Sequence, residues 1–179
     1  DRQDLRTAID ALGKLSRSGA LPGLRIRFVG ECPPSLRASL AGAGLADSVE
    51  CTGFVAHGEA LAHMQESTVL LLAGPVSGAF PQSKVRGHIA AKVFEYLGSG
   101  RPILYVGEAD CDVETLVGRF PGVACVRPGD VLGAREAILS LIQRGPSVDR
   151  RGMEAYTRRS LAGGLVQVLT DACRGRSRG

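Results

Sequence analysis

Tryptophan is absent, and aromatic residues make up only 4% of the 179-residue chain, so a core must be built mainly from Leu, Val, Ile and Ala. No apolar run reaches the ~18 residues that a membrane-spanning helix needs, and no secretory leader pattern is visible. Cys32, Cys51, Cys111, Cys125 and Cys173 form no CxxC pair and no Cys/His cluster. That odd set argues against a disulfide framework or a zinc site, and for a reducing compartment. Nucleophile elbow, Walker A loop, internal repeat and low-complexity tract are all missing. Lysine is rare; arginine is abundant but spread along the chain, so the net charge of +4 gathers into no basic patch with interleaved aromatics. No nucleic-acid partner is therefore expected. The exception is the tail RGRSRG, a basic end able to touch anionic lipid.

What is present is a repeated switch between helical and strand-like apolar spacing. Residues 4–15 carry Leu5, Ile9, Leu12 and Leu15 at helical spacing, already at the first residues, so the chain is expected to continue upstream. Strands are expected at 24–30, 48–54, 67–74, 102–107 and 123–126, and helices at 33–40, 58–66, 88–97, 112–118, 131–143 and 153–173. STVLLLAG, residues 67–74, is a continuous apolar run, as in a strand buried on both faces. Short connections and strict alternation predict an α/β fold: a Rossmann-like, doubly wound open parallel sheet with helices on both faces. Ligands then bind at the carboxyl ends of the strands, here Gly30-Glu31, Thr52-Gly53-Phe54-Val55, Ala73-Gly74-Pro75, Gly107-Glu108 and Arg127-Pro128. The loop GPVSGAFPQSKVRG is longer than most connections in compact domains, which marks a binding loop or lid.

The stretch GHIAAKVFEYLGSGRPIL, residues 87–104, sets a carboxylate inside a helix that runs into a buried strand. At about 100° per residue, Ala90, Val93, Phe94 and Leu97 share the face that packs on the sheet. His88, Lys92, Glu95 and Ser99 share another. A helix beginning after Gly87 with small residues lets an anion approach its free N–H groups. A diphosphate at His88, Ile89, Ala90 and Ala91 would leave Glu95 placed to accept hydrogen bonds from sugar hydroxyls. The alternative is a solvated Lys92–Glu95 ion pair at i, i+3, a common helix-surface feature.

KVFEYLGSGRPIL resembles the K-aromatic-E-Y-L-small-small-G-(K/R)-P-(I/V)-L motif of the C-terminal, nucleotide-sugar-binding domain of GT-B glycosyltransferases, nearest to the group 1 (family 4) transferases. RIRFVGECPP, VECTGFVAHGEALAHMQESTVLLLAG and RRSLAGGLVQVL resemble other parts of that domain in the same order. The resemblance implies that Glu95 binds the nucleotide ribose. It also implies that the backbone of Thr52, Gly53, Phe54 and Val55 reads the base, that His88 to Ala91 holds the diphosphate, and that Lys92 is the motif lysine. Residues 1–179 would be the donor-binding half of a larger enzyme. Residues 150–179 would form the final helix and basic tail that cross toward an N-terminal domain holding a saccharide or lipid-linked acceptor. Transfer would need no metal or cofactor, and the chain alone would be inactive. A cytoplasmic location follows, with a peripheral position at the inner face of a membrane as a second expectation.

The sequence departs from the family at Gly87, where many members carry another Glu that contacts the donor sugar. Lys84 and Arg86 on the long loop are candidates to replace the family's diphosphate-neutralising pair. Asp110-Cys111-Asp112 spells DxD, but at a strand-to-helix turn an Asp cap is expected rather than a metal site. Gly42-Ala43-Gly44 reads as a helix C-cap. His57 and His63 read as surface residues. A sugar-nucleotide epimerase of the same architecture and a non-catalytic α/β nucleotide-binding module stay open.

Overall fold

The structure, a computed structural model, describes residues 5–74, 89–145 and 151–176. The chain divides into two compact units, Asp1–Asp149 and Arg150–Gly179. The first unit alternates helix and strand. Helix α1 (Arg6–Arg17) leads to β1 (Ile26–Val29), α2 (Pro34–Gly42), β2 (Val49–Gly53), α3 (His57–Glu66) and β3 (Leu70–Ala73). Then come α4 (Lys92–Ser99), β4 (Ile103–Val106), α5 (Asp112–Val117), β5 (Val123–Val126) and α6 (Val131–Arg144). In the second unit a 3₁₀ turn, Met153–Tyr156, precedes α7 (Arg158–Arg176). The single helix expected over 153–173 breaks at Thr157, whose backbone is extended. The Thr157 hydroxyl accepts from the Ser160 amide at 3.2 Å and so starts α7 afresh. Among the described residues no helix is long and apolar enough to cross a membrane.

Local chemistry explains the boundaries. Pro34 opens α2, where a missing N–H costs nothing. The end of α2 is a Schellman motif: Leu45 N donates to Leu40 O and Gly44 N to Ala41 O, both at 2.9 Å, with Gly44 in the left-handed region. The C-cap reading of Gly42-Ala43-Gly44 holds.

The five described strands pair in parallel, and the α/β reading stands. They form two sheets, β1-β2 and β3-β4-β5, where one continuous sheet was expected. The reason lies in the backbone of β3. Leu70 N donates to Pro102 O and Gly74 N to Val106 O, so this register turns Leu70, Leu72 and Gly74 toward β4. Leu71 and Ala73 alternate with them and point their N–H and C=O groups away from β4, where no described strand pairs with them.

Helix α1 serves both sheets. Ala8, Ala11 and Leu15 pack with Leu104, Val106, Val126 and the α6 residues Ala134, Ile138 and Leu141. Ile9 packs instead with Leu36, Leu40 and Leu45, against the β1-β2 side. Leu12 touches both groups. Thr7 clasps the far end of the unit, its hydroxyl accepting from the Gly129 amide at 2.8 Å. Every residue of β4 is buried, as befits the middle strand of three. Leu104 and Val106 face α1 and α6, while Ile103 and Tyr105 face the other side, where Tyr105 meets the start of α5. Tyr105 is 0% exposed, and the backbone at Gly74 and Gly107 leaves room for its ring: a Cβ at Gly74 would lie 2.6 Å from the Tyr105 hydroxyl.

Candidate functional site

Helix α4 is fixed from one face. Val93 and Leu97, one turn apart, are 1% and 0% exposed, while Lys92, Phe94, Glu95 and Tyr96 are half-buried. Gly100 stops the helix in the left-handed conformation, φ 73°, that an L side chain resists. The Ser99 hydroxyl donates to Tyr96 O at 2.6 Å and accepts from Arg101 N at 3.2 Å. Ser99 therefore belongs to the helix stop and is not free for a ligand, although the helical wheel set it in line with Lys92 and Glu95. Pro102 and β4 follow at once.

The alternative, a Lys92–Glu95 ion pair, is not formed. Among the described residues the salt bridges lie elsewhere, and no carboxylate sits within ion-pair distance of Lys92. Burial pushes the Lys92 ammonium below its ordinary pKa. Burial also raises the Tyr96 hydroxyl, with the Glu95 charge as a second cause. Among the described residues the site thus holds a partly desolvated cation with no paired acid, and a carboxylate one turn away with no paired base.

The helix was expected to begin at His88 and begins at Lys92, because Ala91 caps it and Val93 N and Phe94 N turn back to Ala90 O and Ala91 O at 3.0 and 3.1 Å. The amides of Ala90, Ala91 and Lys92 have no backbone partner among the described residues, so they are the donors open to an anion. Ile89 directly precedes them. His88, Gly87, Arg86 and Lys84 lie outside the described residues. An eight-residue helix is about 12 Å long, close to the ~13 Å of a four-residue strand. Since α4 hands over to the start of β4, its first turn reaches the level of the carboxyl ends of the strands.

Thr52, Gly53, Phe54 and Val55 also lie at a carboxyl end, that of β2. Gly53 O accepts from Gly30 N and from the Thr52 hydroxyl, both at 2.9 Å. The Thr52 side chain is therefore committed internally, while Phe54 stands 88% exposed. Helix α3, which leaves this loop, packs against α4, so the two candidate segments belong to neighbouring elements.

The rim beyond β4 and β5 is already satisfied. The cap of α5 is Cys111, not an Asp: its sulfur accepts from Glu114 N at 3.4 Å and lies 3.1 Å from the Tyr105 hydroxyl. Glu114 reciprocates by accepting from Asp110 N at 2.8 Å, and it pairs with Arg127 at 2.5 Å. This is a variant of the capping box, with a thiol in place of a hydroxyl and the acid bonded to the amide just before the cap residue. The Cys-x-x-Glu spacing carried that signal; the DxD pattern masked it. Asp110, at φ 55°, and Asp112 are exposed, and among the described residues no three His, Cys, Asp or Glu side chains gather as a metal site. Glu114→Ala is expected to cost about 1–2 kcal/mol in a urea melt, the usual loss for a cap and a charged hydrogen bond.

His63, read as a plain surface residue, is part of a network. Arg27 Nη1 donates to His63 Nδ1 at 2.9 Å and to Glu66 at 3.1 Å, while Arg27 Nε donates to Glu50 at 3.0 Å. Because Arg27 only donates, His63 accepts at Nδ1 and carries its proton on Nε2, the nitrogen nearer Glu59. The network ties α3 to the β1-β2 sheet. His57 is exposed at the start of α3. Searched against family models and against curated proteins, the chain matches none.

Proposed function

We propose that this chain is the donor-binding half of a GT-B-type glycosyltransferase, its strands completing a doubly wound sheet, and that α4 holds a nucleoside diphosphate sugar. The observation that carries this reading is that, among the described residues, Lys92 and Glu95 have no ion-pair partner, on a helix fixed by Val93 and Leu97. A half-buried ammonium without a counter-ion favours an incoming anion. The open amides of Ala90, Ala91 and Lys92 supply further donors for a diphosphate. Glu95, one turn further on, accepts hydrogen bonds from the ribose hydroxyls. Residues 52–55 read the base through their backbone.

Departure of a nucleoside diphosphate concentrates negative charge on its oxygens. Lys92 and the three amides meet that charge with fixed donors, and closure of an acceptor-binding domain over the donor excludes water. Sugar transfer then requires groups from that second domain, so the 179 residues alone are expected to bind nucleotide weakly and to transfer nothing.

Calorimetry with UDP, GDP and ADP tests the reading. Binding of one of them, weakened by Glu95→Ala and by Lys92→Ala, supports it. No heat from any of the three at millimolar concentration sinks it and leaves a non-nucleotide module. Product analysis on an active full-length enzyme separates a new glycosidic bond from an isomerised donor.

The lysine adds a pH prediction. Its ammonium is complete below its lowered pKa and is lost before the ordinary value of 10.5 is reached. Affinity for the diphosphate is expected to fall as pH rises toward that range, and Lys92→Arg, which stays charged, is expected to flatten the profile. A profile unchanged by Lys92→Arg assigns the titration to another group.

A further inference from the structure

We propose that α7 is a membrane-surface helix: it lies in the plane of an anionic phospholipid bilayer, its apolar face among the acyl chains and the arginines near its two ends on lipid phosphates. The inference does not rest on the donor-binding reading, and failure to bind nucleotide leaves it untouched.

The first observation is an uncovered apolar face. Leu161, Leu165, Val166, Val168 and Leu169 are each 56–65% exposed, and every residue from Arg158 to Leu169 is exposed. At about 100° per residue, those five apolar side chains fall within an arc of about 160°. Ser160, Gln167, Asp171 and Arg174 are centred on the opposite side, where the Gln167 amide donates to the Asp171 carboxylate at 3.1 Å. Nineteen residues make a helix about 28 Å long. It is not apolar enough to cross a bilayer, so it meets lipid from the surface.

The second observation is charge. Residues 150–179 hold seven arginines and two acids, a net +5, whereas residues 1–149 hold fifteen basic and sixteen acidic residues. The positive excess of the chain therefore sits entirely in the second unit. Arg158 and Arg159 stand at the start of α7, and Arg174 and Arg176 at its end. Among the described residues Arg158, Arg159 and Arg174 form no ion pair.

Charge also decides which partner fits. Two copies of α7 would bring arginines against arginines in a parallel and in an antiparallel pair alike, and Asp171, the one acid of the helix, lies away from the apolar arc. An anionic bilayer complements both parts at once. Its phosphates accept from the guanidinium groups, and its acyl chains take up the aliphatic face. That face carries no aromatic residue, the usual anchor of a protein interface, and a lipid phase needs none. Each arginine held near such a surface strengthens binding about fivefold.

Because the chain has no tryptophan, a single introduced indole reports without background. Leu165→Trp and Gln167→Trp variants of the whole chain are titrated with vesicles of phosphatidylcholine alone, and of phosphatidylcholine and phosphatidylglycerol in equal parts. With the anionic vesicles, Leu165→Trp fluorescence is expected to shift to the blue and to be quenched by brominated acyl chains, while Gln167→Trp, on the opposite face, keeps its aqueous spectrum. Changing Arg158 and Arg159 together to Gln is expected to weaken vesicle binding at least about tenfold, and Leu165→Asp to abolish co-sedimentation. No binding to anionic vesicles overturns the proposal, as does equal binding to neutral ones or binding that survives Leu165→Asp. So does a blue shift of Leu165→Trp without vesicles. If that shift grows with protein concentration the occupant is a second copy, and if it does not the occupant is a segment of the protein itself.

Discussion

Tyr105→Ala is expected to unfold most of the first unit. The side chain is wholly buried in the middle strand, and truncating an aromatic of this size costs about 3–5 kcal/mol. Domains of this size have about 5–15 kcal/mol in total, so a urea midpoint should drop by a large fraction or vanish. Tyr105→Phe isolates the hydroxyl. It removes the contact with Cys111 at 3.1 Å and should cost only about 1 kcal/mol. Gly107→Val probes the same packing from the other side, because a Cβ at Gly107 would overlap the buried Tyr105 ring. Overpacking of this kind costs about 1–3 kcal/mol. If Tyr105→Ala melts like the parent chain, the assignment of β4 as the central strand is wrong.

Glu95→Ala is expected to behave in the opposite manner. The residue is half-exposed and makes no ion pair among the described residues, so its loss should shift stability by no more than about 0.5 kcal/mol. Nucleotide affinity should fall at least about tenfold, because charge-assisted hydrogen bonds contribute about 1.5–3 kcal/mol each. Glu95→Gln keeps the shape and removes the charge, and should lie between the two. A destabilised Glu95→Ala chain with unchanged nucleotide affinity would assign this carboxylate to the fold.

Much of this was legible in the sequence because it is local. The helical spacing of Leu5, Ile9, Leu12 and Leu15, the all-apolar β3 and the Gly100 stop each follow from a few neighbouring residues. The features that were not legible depend on partners far along the chain. Nothing near His63 announces Arg27, which lies 36 residues away. The division into two sheets depends on which strand edges find partners, and no window of residues encodes that. The start of α4 moved from His88 to Lys92 because two amides turn back to Ala90 and Ala91, a choice that small residues leave open. The cap of α5 was hidden by a more familiar pattern: two aspartates drew the reading, while the cysteine between them held the amide.

The bond between Thr7 and Gly129 spans 122 residues, and α1 packs along α6 beside it. During synthesis at about 5–20 residues per second, α1 waits roughly 6 to 25 s for the partner that covers Ala8, Ala11 and Leu15. For that interval the apolar face of α1 lacks the α6 residues that cover it in the folded unit. Closing α1 on α6 across that separation is also a costly contact to form early, because loop closure over so many residues precedes the contacts that reward it.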